Sequence, residues 1–234
     1  MIVYGRNPVR EALRGRRRVH RVYATESAGR EVWLGGVEVV PAEPYQIEER
    51  CGSPDHQGIC AEAQAYPYAD ADRLLAADDA LVVCLDEVQD PQNLGAVCRV
   101  AEAAGCSGVV LPERRSAEVT AVVCKASAGA VEHLPVARVR NLADWLAGAR
   151  EHDAWVYGAE AGARVPYDRP DYRGRVVVVL GSEGKGLRPR VASTCDQLVA
   201  LPNAGRVGSL NVATASAALV YGILHFRKGL DRAP

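Results

Sequence analysis

The sequence predicts an α/β fold, with a mostly parallel, doubly wound domain over residues 80–234 and a small α/β domain before it. After residue 80, continuous apolar runs alternate with stretches of helical periodicity, which is typical of parallel strands covered by helices on both faces. The chain has 234 residues, 48% of them hydrophobic, and can therefore bury one substantial core or two modest ones.

Residues 1–65 are predicted to form the small domain. Asn7 is a candidate N-cap for a short helix with Pro8 at its first position, because proline is favoured where no backbone N–H is needed. Strands are expected at 20–24, 37–40 and 58–63. The acidic, proline-marked stretch 66–79 predicts a linker with a short helix around 71–77.

The second half is predicted to supply the strands and helices of the parallel sheet. The last helix is rich in Ala, Val and Leu nearly all round, which predicts that it is buried under the sheet or in a dimer. Strands are expected at 80–85, 108–111, 134–139, 154–158, 176–180 and 197–201, and helices at 93–104, 117–126, 142–151 and 211–227.

Composition restricts the class of protein. No apolar run approaches the roughly 18 residues that cross a bilayer, and the N-terminus lacks the apolar region of a signal peptide, so a cytoplasmic protein without a membrane segment is expected. The seven cysteines include no CxxC pair, which favours reduced thiols over a metal site. The net charge is −1, yet residues 1–30 hold eight Arg against two Glu. That cluster predicts nucleic-acid binding by the small domain; a solvated basic surface is the alternative.

Three glycine-bearing loops follow predicted strands of the second half, where open α/β sheets bind ligands. In the first loop, Asp90 is a candidate cap and Pro91 opens the helix. Arg99 falls one turn after Gly95 on the same helix face, a suitable position for binding a phosphate.

The second loop, 181–186, places Glu183 among three glycines. It is not a P-loop, because the glycine spacing differs and no Ser or Thr follows Lys185. A tight turn and a ligand loop both remain open. In the third loop, 201–215, Ser209 is a candidate N-cap for the last helix, and Asn211 puts an amide in its first turn.

Together the three loops resemble the signature motifs of the SpoU-type RNA ribose 2′-O-methyltransferases, within the SPOUT class. The matching segments are 93–99, 180–186 and 201–212, in the same order and spacing. Three further segments, 4–13, 56–59 and 125–142, resemble the subgroup that modifies a guanosine of large-subunit ribosomal RNA. The resemblance therefore covers nearly the whole chain.

The resemblance implies metal-free methyl transfer from S-adenosylmethionine to a ribose 2′-hydroxyl, at a site formed in a deep trefoil knot. It also implies a homodimer through the last helix, in which the second chain contributes to the site. The implied cofactor-binding residues are Leu180, Gly181, Leu201, Ser209 and Leu210, and the implied catalytic residues are Asn93, Arg99, Glu183, Ser209 and Asn211.

The roles of two implied catalytic residues stay open. Arg99 is either a base or a phosphate clamp, and the clamp is favoured because a guanidinium group holds its proton too tightly to be a good base. Glu183 either orients Arg99 or accepts the hydroxyl proton. Within the small domain, the expected RNA contacts are Arg6, Asn7, Arg10, Arg17 and Arg18.

Three other functions compete with methylation of ribosomal RNA. A transfer-RNA methyltransferase or an antibiotic-resistance methyltransferase would have the same fold, and the N-terminal segments 4–13 and 56–59 favour the ribosomal subgroup over both. A non-enzymatic RNA-binding or ribosome-assembly protein is the third alternative. The intact set of implied catalytic residues argues against it.

Overall fold

A computed structural model describes residues 1–206 and 208–230 of the chain. The N-terminal part contains the strands β1 (Ile2–Tyr4), β2 (Val19–Ala24), β3 (Val39–Pro41) and β4 (Ile59–Ala63), and the helices α1 (Arg6–Arg14), α2 (Glu26–Gly29) and α3 (Pro44–Cys51). The strands form one mixed sheet in the order β1-β4-β2-β3. Strand β4 runs antiparallel to both of its neighbours, and β2 and β3 are parallel.

The predicted start of helix α1 is wrong. The helix begins at Arg6, and Gly5 rather than Asn7 occupies the cap position, with a φ of 94° that favours glycine. The backbone N–H of Arg6 donates to Gln57 Oε1 at 3.0 Å. Because that partner comes from the turn before β4, local sequence does not reveal this helix start.

The C-terminal part is a seven-stranded sheet in which every neighbouring pair is parallel. Its strands are β5 (Leu81–Asp86), β6 (Gly108–Pro112), β7 (Val136–Val139), β8 (Trp155–Ala159), β9 (Val165–Pro166), β10 (Val176–Gly181) and β11 (Gln197–Ala200). The helices are α4 (Pro91–Ala103), α5 (Ala121–Ala126), α6 (Leu142–Ala149), α7 (Pro189–Thr194) and α8 (Val212–Leu230). The strand order is β7-β6-β5-β10-β8-β11-β9.

Helices cover both faces of this sheet, which confirms the predicted α/β class. Residues 176–179 of β10 are fully buried valines, as expected for a central strand packed on both sides. Helices α4, α5 and α8 pack on one face, and α6 and α7 pack on the other. Strand β10 lies between β5 and β8 although it follows β8 in the chain. The trefoil knot stays a prediction.

Some predicted elements differ in length or exposure. Residues 117–120 lie outside any helix, because Ala117 and Val119 donate their backbone N–H groups to Val88 O and Tyr68 Oη instead of to a preceding helical turn. The predicted short helix at 71–77 is a 3₁₀ turn over Asp72–Leu75. Strands β1 and β9 and helices α2, α3 and α7 were not predicted. Within the described part of the chain, no helix combines the length and apolarity that a bilayer crossing requires.

Over residues 212–229, one face of α8 is buried in the single chain and the other is exposed, so burial of the remaining face in a dimer stays a prediction. Val220 and Ile223 are inaccessible to solvent, whereas Tyr221 is 50% exposed. The exposed positions Thr214, Ala218, Tyr221 and His225 recur at helical spacing, and Lys228 and Gly229 near the end of the helix are exposed as well.

The two sheets share an apolar core. Val3 and Val9 of the small unit pack in the same buried cluster as Val123 and Val131 of the large one. Gly129 has a φ of 89°, and an added Cβ would lie 2.7 Å from Glu11 Cβ, so a glycine is required at this contact.

The connecting stretch is docked rather than free. Tyr66 Oη donates to the carbonyls of Val131 and Leu134 at 3.2 and 2.9 Å. Ala69 forms a parallel bridge with Ala137 of β7. A domain boundary within 66–79 stays a prediction.

Candidate active site

A cavity of about 420 Å³ opens at the carboxyl ends of β8, β10 and β11. Open parallel sheets bind ligands at this edge. All five predicted cofactor-binding residues line it: Leu180, Gly181, Leu201, Ser209 and Leu210. Glu183 and Glu160 add two carboxylates to the lining, and Glu160 was not singled out from the sequence. The structure thus brings the second and third predicted loops together.

The loop after β10 folds back on itself at Gly181. The Gly186 N–H donates to Ser182 O at 2.9 Å, which closes a tight turn. A Cβ at Gly181 would lie 2.1 Å from the carbonyl carbon of Gly186, too close for any side chain. The loop's own backbone therefore requires a glycine here, and the turn and ligand-loop interpretations of 181–186 are compatible.

Three polar side chains from three different elements meet at the cavity. Asn93 of α4 donates from Nδ2 to Glu183 Oε1 at 3.0 Å. Asn211, just before α8, donates from Nδ2 to Asn93 Oδ1 at 2.9 Å and also to Glu183 Oε1. These residues are 118 positions apart at most, and the carboxyl edge of the sheet brings them together.

Asn211, not Ser209, is the N-cap of α8. Its Oδ1 accepts the backbone N–H of Ala213 at 2.9 Å, which leaves Nδ2 free to reach Glu183. Capping thus fixes the orientation of the amide that holds the carboxylate. Ser209 lies two residues outside the helix and lines the cavity instead.

Arg99 is the predicted catalytic residue that the chain alone does not bring to the site. It is exposed on α4 and is absent from the cavity lining. No hydrogen bond or ion pair to its guanidinium is present within residues 1–206 and 208–230. Gly95, one turn earlier, packs so closely on α5 that an added Cβ would lie 2.5 Å from Ala126 Cβ.

An ion pair between a buried carboxylate and a partly exposed arginine anchors the far end of the 181–186 loop and was not predicted. Asp86, at the end of β5, is 0% exposed and accepts the Arg188 backbone N–H and Nε, both at 2.8 Å. These hydrogen bonds hold the pKa of Arg188 above its usual value. Asp86 is the register partner of Gly181, so the pair fixes both ends of the loop against one strand. The sequence feature that could have indicated this ion pair is Asp86 itself, a carboxylate at the end of an apolar strand.

The predicted RNA contacts of the small domain fall into two groups. Asn7 and Arg18 are exposed, and Arg6 and Arg10 carry ion pairs with Glu31 and Glu11 at 2.8 Å. The prediction for Arg17 is wrong.

Arg17 is buried and paired across the two units. Its side chain is 1% exposed, and its Nε donates to Glu132 Oε2 at 2.8 Å. Burial alone would lower the pKa of Arg17, but the hydrogen bond and charge of Glu132 outweigh burial and raise it. Arg17 therefore cannot contact RNA.

The cysteines are free thiols in the structure. Burial raises the pKa of Cys98, Cys106 and Cys124 to about 12, so these thiols stay protonated at neutral pH. Across the described residues, no group of three His, Cys, Asp or Glu side chains is arranged to hold a metal ion.

Comparison with known families identifies the two units. The profile of the SpoU rRNA Methylase family matches residues 80–221. The chain belongs to this family. A second profile, described as RNA 2′-O ribose methyltransferase substrate binding, matches residues 2–69.

Relatives and solved structures resemble this SpoU-family chain over nearly its full length. YacO of Bacillus subtilis (strain 168), named as a TrmH family tRNA/rRNA methyltransferase, is 37% identical over 96% of this chain and 95% of its own. An AdoMet-bound rRNA methyltransferase from Sinorhizobium meliloti has a TM-score of 0.81 and 25% identity, covering 96% of this chain and 86% of that one. The SpoU methyltransferase AviRb from Streptomyces viridochromogenes, in complex with AdoMet, shares the fold, with a TM-score of 0.83, 24% identity and coverage of 97% and 90%.

Proposed function

We propose that this SpoU-family chain transfers a methyl group from S-adenosylmethionine to a ribose 2′-hydroxyl of RNA. The observation that carries the proposal is that Glu183 belongs both to the lining of the 420 Å³ cavity and to the hydrogen-bonded cluster with Asn93 and Asn211. A ligand cavity and a fixed carboxylate thus share one edge of the sheet, which is the arrangement that a transfer reaction needs.

The cavity fits S-adenosylmethionine. Its volume lies within the roughly 300–1,000 Å³ of small-molecule sites. Leu180, Leu201 and Leu210 supply apolar surface for an adenine ring, and Glu160 and Glu183 supply negative charge for a cationic ligand. When bound, S-adenosylmethionine supplies a methyl group activated by the positive charge of its sulfonium.

Glu183 is proposed to accept the hydrogen of the 2′-hydroxyl. Both amide donors of the cluster bond to one oxygen, Oε1, and so hold the carboxylate in a fixed orientation. The second oxygen, Oε2, is left to face the substrate. A fixed acceptor aligns the hydroxyl for in-line attack, and alignment of this kind can lower the barrier of a displacement substantially. Asn93 and Asn211 are positioning residues in this account.

Arg99 is proposed to clamp the phosphate beside the target ribose in a homodimer. Helices α4 and α8 lie on the same face of the sheet, and the exposed positions of α8 include Tyr221, which is 50% exposed. Pairing of two chains through α8 would cover this surface and bring the exposed Arg99 side of α4 in one chain close to its partner. The unpaired guanidinium of Arg99 would then act at the partner's cavity.

Mixing inactive chains tests this division of the site. Arg99→Ala and Glu183→Gln are each expected to inactivate a homodimer. In a mixed dimer, one site would combine an intact Glu183 with an intact Arg99 from the other chain, so activity should reappear. Mixtures that stay as inactive as the two parents would reject an Arg99 that acts across the dimer.

The proposed substrate is a guanosine of 23S ribosomal RNA in the cytoplasm. The resemblance of segments 4–13, 56–59 and 125–142 to that subgroup supports this choice. These segments also lie together, since Gln57 Oε1 accepts the Arg6 N–H and Lys125 Nζ donates to Asp55 O, next to segment 56–59, at 2.8 Å. A transfer RNA is the second candidate, because the relatives are named as tRNA/rRNA methyltransferases.

Methylation of unmodified transcripts distinguishes the two substrates. The purified chain would be incubated with tritiated S-adenosylmethionine and with transcripts of 23S rRNA, 16S rRNA or a tRNA pool. Label is expected in 23S rRNA at a single guanosine, and Arg99→Ala should abolish it. Label in tRNA alone would refute the ribosomal substrate and leave the proposed chemistry intact.

A further inference from the structure

A second cavity lies at the same edge of the large sheet, outside the proposed methyl-transfer site. It has a volume of about 330 Å³, and five arginines line it together with Glu87: Arg114, Arg115, Arg140, Arg188 and Arg190. We call it the arginine groove. Its arginines come from three segments, which follow β6, β7 and the loop after β10.

Cations dominate the surface of the arginine groove. Arg188 neutralises the buried Asp86, and Arg190 pairs with Asp144. Glu87 is shared by Arg115 at 3.3 Å and Arg188 at 3.6 Å. The acids that touch the groove are therefore fewer than its arginines.

Two of the five arginines have no internal partner. Arg114 and Arg140 are exposed, and neither makes a hydrogen bond or ion pair with any residue of 1–206 and 208–230. Arg140 immediately precedes Asn141, the N-cap of α6, and the N-terminus of this helix adds positive potential to the groove. A concave surface with unneutralised guanidinium groups fits a ligand with several phosphates.

The position of the groove relates it to the methyl-transfer site. The loop after β10 separates the two cavities: residues 181–186 line the first, and Arg188 lines the second. Strand β6 lies two strands from β10, which is roughly 10 Å at the usual strand spacing. A single RNA strand with its target ribose at the mouth of the first cavity would therefore reach the groove within a few nucleotides.

We propose that the arginine groove binds the phosphodiester backbone of the substrate RNA next to the target nucleotide, with Arg114 and Arg140 as its phosphate contacts. The proposal rests on the proposed function, because it requires an RNA substrate. It adds a contact surface on the catalytic unit to the one expected on the small domain. Phosphate contacts position the RNA without reading its sequence.

Salt-dependent RNA binding tests the groove. The probe is a fluorescein-labelled single-stranded RNA of about 15 nucleotides and mixed sequence, bound to the full chain and followed by anisotropy. For Arg114→Gln/Arg140→Gln, loss of two phosphate contacts should reduce the slope of log affinity against log salt by about 1.4. This change in slope means that the groove variant should bind the probe about 25-fold more weakly than the unmodified chain near 0.1 M salt, and that the two affinities should converge towards 1 M salt.

Arg73→Gln is the matched control. Arg73 has an 87% exposed side chain, and its neighbour Leu74 packs beside Gly108 at the start of β6, so it lies at the opposite edge of the sheet. This variant loses one positive charge, as Arg114→Gln alone does, and should bind the probe like the unmodified chain, whereas Arg114→Gln should show about half of the slope change of the double variant. Unchanged affinity for S-adenosylmethionine by calorimetry would show that the groove variant keeps its cavity.

The outcomes separate the two proposals. If the groove variant and the unmodified chain bind the probe with the same affinity and salt slope while the unmodified chain methylates RNA, the groove proposal is wrong and the proposed function stands. If Arg73→Gln weakens binding as much as Arg114→Gln alone, the effect is one of net charge and the groove proposal is also wrong. An unmodified chain that neither binds RNA nor methylates it would overturn the proposed function itself.

Discussion

Replacing Glu132 by leucine should destabilise the chain severely, because it leaves a buried arginine without its counter-ion. The side chains of Arg17 and Glu132 are both 1% exposed, and they link the small unit to the large one. The remaining acceptors of the guanidinium are Gln64 O at 3.1 Å, the Cys124 sulfur at 3.4 Å and the Met1 sulfur at 3.8 Å. None of them carries the negative charge of the lost carboxylate.

The size of the effect follows from burial. Removing one partner of a buried pair costs about 3–5 kcal/mol. For a chain of this length, each kcal/mol lowers Tm by about 2–4 °C, so a fall of roughly 6–20 °C is expected for Glu132→Leu. Arg17→Met/Glu132→Leu removes both charges and should regain most of that stability, since apolar replacement of a buried pair is often neutral or better.

Urea denaturation of the four chains in a double-mutant cycle measures the coupling between the two side chains. The expected interaction energy is about 3 kcal/mol or more, with the double variant close to the unmodified chain. Arg18→Gln, which removes an exposed charge next to Arg17, should cost less than about 0.5 kcal/mol. A single variant that loses under about 1 kcal/mol, or a double variant as unstable as the single one, would refute the reasoning.

Three further predictions concern the site and the interface. Gly181→Ala should weaken calorimetric binding of S-adenosylmethionine at least tenfold, because the new methyl group collides with the backbone of Gly186; Gly162→Ala, with open space around it, should leave binding unchanged. Asn211→Asp keeps the oxygen that caps α8 but loses the amide donor to Glu183. The rate of methyl transfer in a single-turnover assay should therefore fall on the order of 10²-fold while Tm changes little. A variant in which Tm falls markedly together with the rate would indicate a merely structural role. Burial raises the pKa of Glu11, but hydrogen bonds from His133 and Arg10 outweigh it and hold the pKa below 4.5. The stability that the ionised Glu11 contributes is therefore complete above the pKa of Glu11 in the unfolded chain, and it is lost as pH falls through the lower pKa of the folded chain. When the urea midpoint is plotted against pH, Glu11→Gln should reduce the fall of the midpoint at acid pH. A plot that is the same for the variant and the unmodified chain would contradict this assignment.

Much of the large sheet was predictable because its strands are buried on both faces. The valine run 176–179 has no amphipathic alternation, and this pattern separates a central parallel strand from a surface strand. Strand β9, of two residues, and helix α7, of six, are too short to produce a periodic signal. Their positions depend on tertiary contacts.

The candidate site was predictable as a set of loops but not in its connections. Sequence indicated Asn93, Glu183 and Asn211 without showing that they bond to one another, since the loops meet only after the sheet has formed. The error at Arg17 has a related cause, because its partner Glu132 is 115 residues away and nothing local separates a buried arginine from its exposed neighbours. The Ser209 cap was wrong because Asn211, two residues later, competes for the same helix end.

The position of the transferred methyl group tests the central claim most directly. The full chain would be incubated with S-adenosylmethionine carrying a deuterated methyl group and with unmodified 23S rRNA, and the RNA digested to nucleosides for mass spectrometry. The account predicts deuterium in one 2′-O-methylated guanosine, and its loss in Glu183→Gln. A deuterated methyl group on a base, or undiminished 2′-O-methylation by Glu183→Gln, would contradict it.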